Sequence, residues 1–254
     1  ACIEVVCLGG VVATGDEFGG SVAGDGDTVV VGAHLDDDNG YRSGSAYFYT
    51  FDGTDWIETN RLARDGGKDY VYFGYSVAVS GDTIVVGAYG DDDGSGSAYV
   101  YTFDGADRNL KTKRTARDGS EAASVGNSVA VDGDDVVVGA YDDGDDDAGT
   151  AYVYTFDGAD WNFETKLTAN DGESGNRFGY SVAVDGDTVV VGAYLDNDNG
   201  TASGSAYVYT FDGAEWSQET KLLASDGASD DQFGKSVSIS EGTIAIGAPG
   251  AFID

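Results

Sequence analysis

The sequence predicts an all-β protein built from a repeated four-stranded unit. Three observations carry that prediction. The string FGYSVAVDGDTVVVGAY, beginning at Phe178, returns with small changes at Phe18, Phe73, Val125 and Phe233, in steps of 55, 52, 53 and 55 residues. The runs between breaks are rich in β-branched and aromatic residues, and none sustains a 3.6-residue apolar period. The 40 glycines and single proline sit mostly at segment ends, as punctuation for many turns.

The fourth copy shows the elements in order. Residues 181–184 (SVAV) read as a first strand and residues 188–193 (TVVVGA) as a second, joined by a tight Asp-Gly-Asp turn. Both are apolar on both faces, so both need cover on two sides. Residues 205–211 (SAYVYTF) read as a third strand that alternates Tyr207, Tyr209 and Phe211 with Ala206, Val208 and Thr210. An Asp212-Gly213 turn leads to a fourth strand at 216–224 (WSQETKLLA). The fourth strands and their flanks carry nine of the 13 basic residues: Arg61, Arg64, Arg108, Lys111, Lys113, Arg114, Arg117, Lys166 and Lys221. Charge on an outermost strand deters edge-to-edge pairing. Buried early strands and a charged last strand, repeated radially, describe a β-propeller of four-stranded antiparallel blades. A linear solenoid is the competing arrangement, but it needs caps that the chain does not display.

The whole of 1–254 is read as one propeller domain, with repeats beginning near 18, 73, 125, 178 and 233. The fifth copy holds only two strands. A hairpin from IEVVCL and VVAT near the start would complete it and close a ring of about five blades; a fragment of a larger ring is the other reading. Cys2 and Cys7 lie five apart in that segment, on opposite faces if it is a strand, and are expected to be plain thiols. No basic leader and no apolar run long enough for a membrane helix is visible.

The Phe-Gly pairs at the unit starts and Gly247-Ala248-Pro249 closing a second strand resemble the FG-GAP repeat of integrin α propellers and of many prokaryotic surface proteins. Other copies read Gly-Ala-Tyr, or Gly32-Ala33-His34, and look most like the prokaryotic branch. The resemblance implies a propeller, an extracellular or cell-surface setting, and a role in adhesion or ligand binding, often with calcium. In integrin-like repeats the calcium loop joins strands one and two. Here that connection has shrunk to Asp25-Gly26-Asp27, Asp132-Gly133-Asp134 and Asp185-Gly186-Asp187, too short to wrap the six to eight oxygens calcium takes.

Composition bounds the partners. The net charge is −33, from 46 acidic residues (37 Asp, nine Glu) against 13 basic ones. Such a field repels nucleic acids and anionic membranes. It suits cations, basic partners or a salt-rich medium, and a halophilic archaeon or bacterium is the expected source.

In a four-stranded meander the one-two and three-four turns share one end, and the two-three and four-one loops share the other. The second end holds the long variable loops, where binding residues tend to sit. Its acids cluster, which points to a divalent cation, calcium in the first instance, at Asp36, Asp38, Asp91, Asp93, Asp145, Asp147, Asp196 and Asp198. Further ligands would come from the four-one loops holding Asp65, Asp118, Asp171 and Asp226. A solvated acidic turn tuned for brine is the plainer alternative. The same rim is expected to hold a protein or glycan ligand, within a larger chain. His34 is expected to stand in for a tyrosine, and the recurrent serines Ser21, Ser76, Ser128, Ser181 and Ser236 to be structural. Trp56, Trp161 and Trp216 are expected to pack on a neighbouring blade. No cluster suits catalysis, so the leading expectation is a non-catalytic binding or adhesion module, ahead of a structural spacer and a propeller hydrolase.

Overall fold

The computed structural model describes residues 13–103, 108–114, 123–144 and 148–251. The first blade comprises β1 (Phe18–Asp25), β2 (Thr28–Ala33), β3 (Ser45–Phe51) and β4 (Trp56–Leu62). The second comprises β5 (Ser76–Ser80), β6 (Thr83–Ala88), β7 (Ser97–Phe103) and β8 (Arg108–Arg114). The third comprises β9 (Val125–Asp132), β10 (Asp135–Ala140), β11 (Thr150–Phe156) and β12 (Trp161–Leu167). The fourth comprises β13 (Phe178–Asp185), β14 (Thr188–Ala193), β15 (Ser205–Phe211) and β16 (Trp216–Leu222), and the fifth contributes β17 (Ser236–Ser240) and β18 (Thr243–Gly247). Each complete blade is an antiparallel meander in chain order. One short 3₁₀ turn, Asp92–Gly94, is the only helical piece among the described residues. The N-terminal hairpin, Cys2 and Cys7 lie outside the described residues.

Local chemistry explains the hairpins. In the fourth blade Asp185 pairs with Thr188 across a two-residue turn, and Gly186 supplies the required positive φ of 51°. The three-four connection differs from the expected two-residue Asp-Gly turn. Phe211 pairs with Trp216 across four residues, and the Asp212 carboxylate accepts the Ala214 and Glu215 amides at 2.9 and 3.0 Å. The aspartate side chain caps the turn, as Asp52 and Asp157 do in their blades. These backbone bonds lower the carboxyl pKa of all three.

The apolar layers lie between blades. Val30 and Phe48 of the first blade share a cluster with Phe73, Ile84, Val86 and Tyr99 of the second. The third and fourth blades meet in the same way through Val137, Val153, Val182, Val191 and Tyr207. Strands that face a neighbouring blade on each side must be apolar on both faces, as the second strands are.

Close approach sets the paired glycine motifs. A Cβ on Gly32 would fall inside the carbonyl of Gly74, and one on Gly192 inside the carbonyl of Gly234. The Phe-Gly of one blade therefore rests on the Gly-Ala of the blade before it. The recurrent serines latch the same seam. The hydroxyls of Ser21, Ser76 and Ser181 donate to the carbonyls of Gly74, Gly126 and Gly234 at 2.7 to 2.8 Å, while Ser128 accepts the Val182 amide at 3.0 Å. At the turn end Asp25 and Asp132 accept the Gly81 and Gly186 amides of the next blade. Those one-two turn acids are therefore inter-blade ties as well as turn residues.

The tryptophans lie closer to home than expected. Trp56, Trp161 and Trp216 tilt against Phe51, Phe156 and Phe211 of their own blades at 5.3 to 5.6 Å between ring centroids. The three-four turn puts those pairs side by side. Trp161 also joins the apolar cluster shared with the second blade, and Trp216 packs against the one shared with the third, which is the contact the sequence suggested.

Candidate functional site

Every complete blade carries the same polar triad at its long-loop end. The third residue after the Gly-Ala of strand two is an aspartate: Asp36, Asp91, Asp143 or Asp196, with exposures of 1, 0, 0 and 2%. A buried carboxylate needs compensation. The first tyrosine of strand three supplies one hydrogen bond: Tyr47 Oη donates to Asp36 at 3.0 Å and Tyr207 Oη to Asp196 at 2.9 Å, with Tyr99 and Tyr152 doing the same for Asp91 and Asp143. Strand four supplies the charge. Arg61 reaches Asp36 at 2.7 Å, Lys113 reaches Asp91 at 2.8 Å, Lys166 reaches Asp143 at 3.1 Å and Lys221 reaches Asp196 at 3.0 Å. Each cation also lies 5.2 to 5.5 Å from the centroid of its tyrosine ring.

A β-bulge makes the reach possible. Strand four holds one extra residue opposite strand three in each complete blade, for example Glu219 between the pairs Val208↔Thr220 and Tyr209↔Gln218. The slip sets Lys221 directly across from Tyr207, and likewise Arg61 across from Tyr47, Lys113 from Tyr99 and Lys166 from Tyr152. Bulges re-aim side chains in this way.

The acids expected to bind calcium are placed as follows. In the fourth blade Asp196, Asp198 and the four-one loop's Asp171 do converge, and the group between them is the Lys221 ammonium, at 3.0, 2.7 and 2.7 Å. In the first blade Arg61 holds Asp36 and Asp38 together. In the second, Asp91 takes Lys113 and Arg64, whereas Asp93 points outward and pairs with Lys68 at 2.9 Å. Asp65 and Asp226 are exposed. Asp145, Asp147 and Asp118 lie outside the described residues. Among the described residues no group of three or more His, Cys, Asp or Glu side chains is arranged to hold a metal ion. Burial pushes the Asp91 carboxyl up, but bonds from Lys113, Tyr99 and the Asp92 amide outweigh it and leave the pKa at about 2. Burial works against the Lys221 ammonium too, and its carboxylate and tyrosine partners overcome it and raise the pKa.

A second feature lies where the innermost strands converge. The residue after each Phe-Gly or its equivalent and the residue after each Gly-Ala meet at the long-loop end. There Tyr75, Tyr89, Asn127, Tyr141, Arg177, Tyr180, Tyr194 and Leu195 line a cavity of 340 Å³. Tyr75 meets Tyr89 edge-on at 4.5 Å and Tyr180 tilts on Tyr194 at 4.3 Å. Arg177 lies over Tyr141 and pairs with Asp142, and Lys235 lies over Tyr194. Burial pushes the Tyr89 phenol up to about 12 and raises Tyr75 and Tyr194. These phenols stay protonated at neutral pH and serve as hydrogen-bonding groups. His34 takes the tyrosine position in the first blade, edge-on to Tyr75 at 5.2 Å and 3.2 Å from Glu17, with its pKa lowered by burial despite that carboxylate.

The sequence points to three of the triad aspartates, Asp36, Asp91 and Asp196, as metal ligands but not to the triad or the cavity, although a signal is there. The triad aspartate falls three residues after the alanine of Gly-Ala, and the cation 14 residues after the tyrosine, in all four complete copies. Sorting the acids by clustering picked Asp145 and Asp147 where Asp143 holds the repeated position.

Comparison with solved structures gives a likeness of fold. A "putative 6-phosphogluconolactonase" from Bacteroides uniformis aligns with a TM-score of 0.55 at 13% identity, covering 90% of this chain and 70% of that one. At this identity the likeness is one of fold. The computationally designed Ika4 protein aligns with a TM-score of 0.48 at 17% identity, covering 83% of this chain and 99% of that one. No curated protein matches the chain. Among the described residues no helix is long and apolar enough to cross a membrane. The FG-GAP repeat model matches residues 10–49, 56–101, 109–154, 161–209 and 216–252, and together with the four-stranded blades and their Phe-Gly seams this places the chain in the FG-GAP repeat β-propeller family.

Proposed function

We propose that the chain is a non-catalytic binding module of an extracellular or cell-surface protein, with its ligand face at the long-loop end. The observation that supports this most is the tyrosine-lined cavity. It is a concave site with aromatic walls and a few convergent polar groups, the usual make-up of a ligand pocket. FG-GAP propellers are typical of extracellular proteins and are generally non-catalytic, which agrees with this reading. Beads coated with the chain should adhere to a surface bearing its protein or glycan partner. Tyr75→Ala with Tyr180→Ala should lower retention several-fold, and Asp52→Asn with Asp212→Asn at the opposite end should leave it unchanged. Retention lost only with the second pair would overturn the assignment of the face.

Calcium at Asp36, Asp38, Asp91, Asp93, Asp145, Asp147, Asp196 and Asp198 is a separate proposal. It requires the ion to displace Arg61, Lys113 and Lys221 from the buried carboxylates, and a resident ammonium or guanidinium competes with it for the same oxygens. Calorimetric titration of calcium in about 2 M KCl, a background that screens diffuse attraction, tests it. Saturable heat supports sites; heat that tracks ionic strength alone does not.

A further inference from the structure

Two loop pairs in this molecule share one backbone and differ in what they present. Residues 35–44 (LDDDNGYRSG) and 195–204 (LDNDNGTASG) have equal length, and each lies against the four-one loop that follows. In the first pair the Tyr70 amide donates to the Tyr41 carbonyl at 2.7 Å and the Tyr72 amide to the Arg42 carbonyl at 3.1 Å. In the second, Asp230 and Gln232 bond Thr201 and Ala202 at 2.7 and 3.0 Å. The backbone angles match as well: φ is 52°, 62° and 56° at Arg42, Tyr70 and Tyr72, and 51°, 69° and 58° at Ala202, Asp230 and Gln232. The fold thus accepts Thr, Ala, Asp and Gln at these positions. The first pair instead carries Tyr41, Arg42, Tyr70 and Tyr72, two of them bulky aromatics in the left-handed region, where such residues are costly.

The aromatic side chains are not there to fill a core. Tyr41 and Tyr70 are 48 and 51% exposed. They meet edge-on at 5.3 Å; Tyr70 lies 6.4 Å from Tyr72, and Tyr72 stacks on Tyr89 at 4.8 Å. The row therefore runs unbroken from the outer rim to the mouth of the central cavity, which Tyr89 lines. Arg42 lies over Tyr41 at 5.2 Å, and the Asp69 carboxylate accepts the Tyr41 amide beside it. Flat apolar faces edged by hydroxyl, guanidinium and carboxylate groups match a sugar ring, which has a C–H face and a rim of hydroxyls. Tyrosine offers such contacts at low entropic cost. Charge narrows the choice. A net −33 chain repels polyanions, and a cationic ligand would settle on the clustered carboxylates rather than on a row whose own charged member is Arg42.

We propose that Tyr41, Arg42, Tyr70 and Tyr72 form a binding platform for a neutral saccharide, which the row leads into the central cavity. This rests on the reading of the long-loop end as the ligand face and specifies its ligand class. The test titrates the chain with neutral hexasaccharides of β-linked glucose, xylose, mannose and N-acetylglucosamine, following tyrosine fluorescence and calorimetric heat. At least one should bind at one site per chain. The variant Tyr41→Thr, Arg42→Ala, Tyr70→Asp, Tyr72→Gln, which installs the residues the fourth blade tolerates, should lose affinity at least tenfold with an unchanged melting temperature. Tyr70→Asp alone should lose part of it, which keeps the test open if the fourfold variant folds poorly. Binding that survives these changes overturns the platform while leaving the rim as ligand face. Failure of every hexasaccharide to bind overturns the saccharide assignment, and the bead assay with Tyr75 and Tyr180 then decides separately on the face. A dimer in sedimentation that these substitutions dissociate would instead assign the row to a second copy of the chain.

Discussion

Lys221 sits among Asp171, Asp196 and Asp198, and its removal would leave a buried carboxylate without a counter-charge. Breaking a buried pair by deleting one partner costs about 3–5 kcal/mol, because the remaining charge stays desolvated. Lys221→Met should therefore lower stability by about that amount in urea unfolding. Adding Asp196→Asn should recover part of the loss; if it does not, the ammonium is not compensating that carboxylate. The pH dependence follows from Asp91. Its pKa falls from 3.8 in the unfolded chain to about 2 when folded, so its stabilisation is complete above pH 3.8 and disappears as pH falls through 2. The shift corresponds to about 2 kcal/mol. Asp91→Asn should flatten the stability–pH curve between pH 4 and 2, and an unchanged slope would mean the pairing contributes nothing there.

At the scale of the element, strand four shows how a small irregularity selects a partner. Glu219 is the bulged residue of β16; if it paired with Val208 in an unbroken register, Thr220 would face Tyr207 and Lys221 would move to Ala206 on the other face. Deleting Glu219 leaves Lys221 opposite Tyr207 and should cost much less than Lys221→Met, whereas inserting one residue between Thr220 and Lys221 turns the lysine to the other face and should cost about as much. An insertion variant as stable as the parent would show that strand register does not aim the lysine. The seams between blades are equally sensitive. Gly192→Ala would drive a methyl group into the Gly234 carbonyl, and overpacking of this kind costs about 1–3 kcal/mol or more. Ser181→Ala removes one latch across the same seam and should cost about 1 kcal/mol. Thermal unfolding separates the two, since the alanine at 192 should lower the melting temperature further than the alanine at 181.

For the whole molecule the charge balance matters most. The four triads take Arg61, Lys113, Lys166 and Lys221 of the 13 basic residues and pair each with a buried acid, so the net −33 remains uncompensated. Self-repulsion of that size destabilises the compact state, and screening relieves it. The melting temperature should rise between about 0.1 and 2 M salt, and by equal amounts for NaCl and KCl at equal ionic strength. A flat response would mean that the surface acids are too far apart to repel appreciably.

The fold was legible in the sequence because its period is chemical and local. Phe-Gly, Ser, Gly-Asp-Thr and Gly-Ala recur at fixed intervals, and each position answers to a constraint that one blade repeats at every seam, such as the glycine under a neighbour's carbonyl or the serine that bonds it. The long-loop end was legible as the variable end for the same reason. What tertiary structure decided was the company each charged group keeps. Asp196 read as one of a cluster of free acids, yet burial and a bulge two strands away bring Lys221 to it. Tyr41 and Tyr70 stand on different loops, and they form a row only because those loops lie side by side. Periodicity reports which positions are equivalent from blade to blade. Contact between loops depends on how strands slip and pack, and no single repeat contains that information.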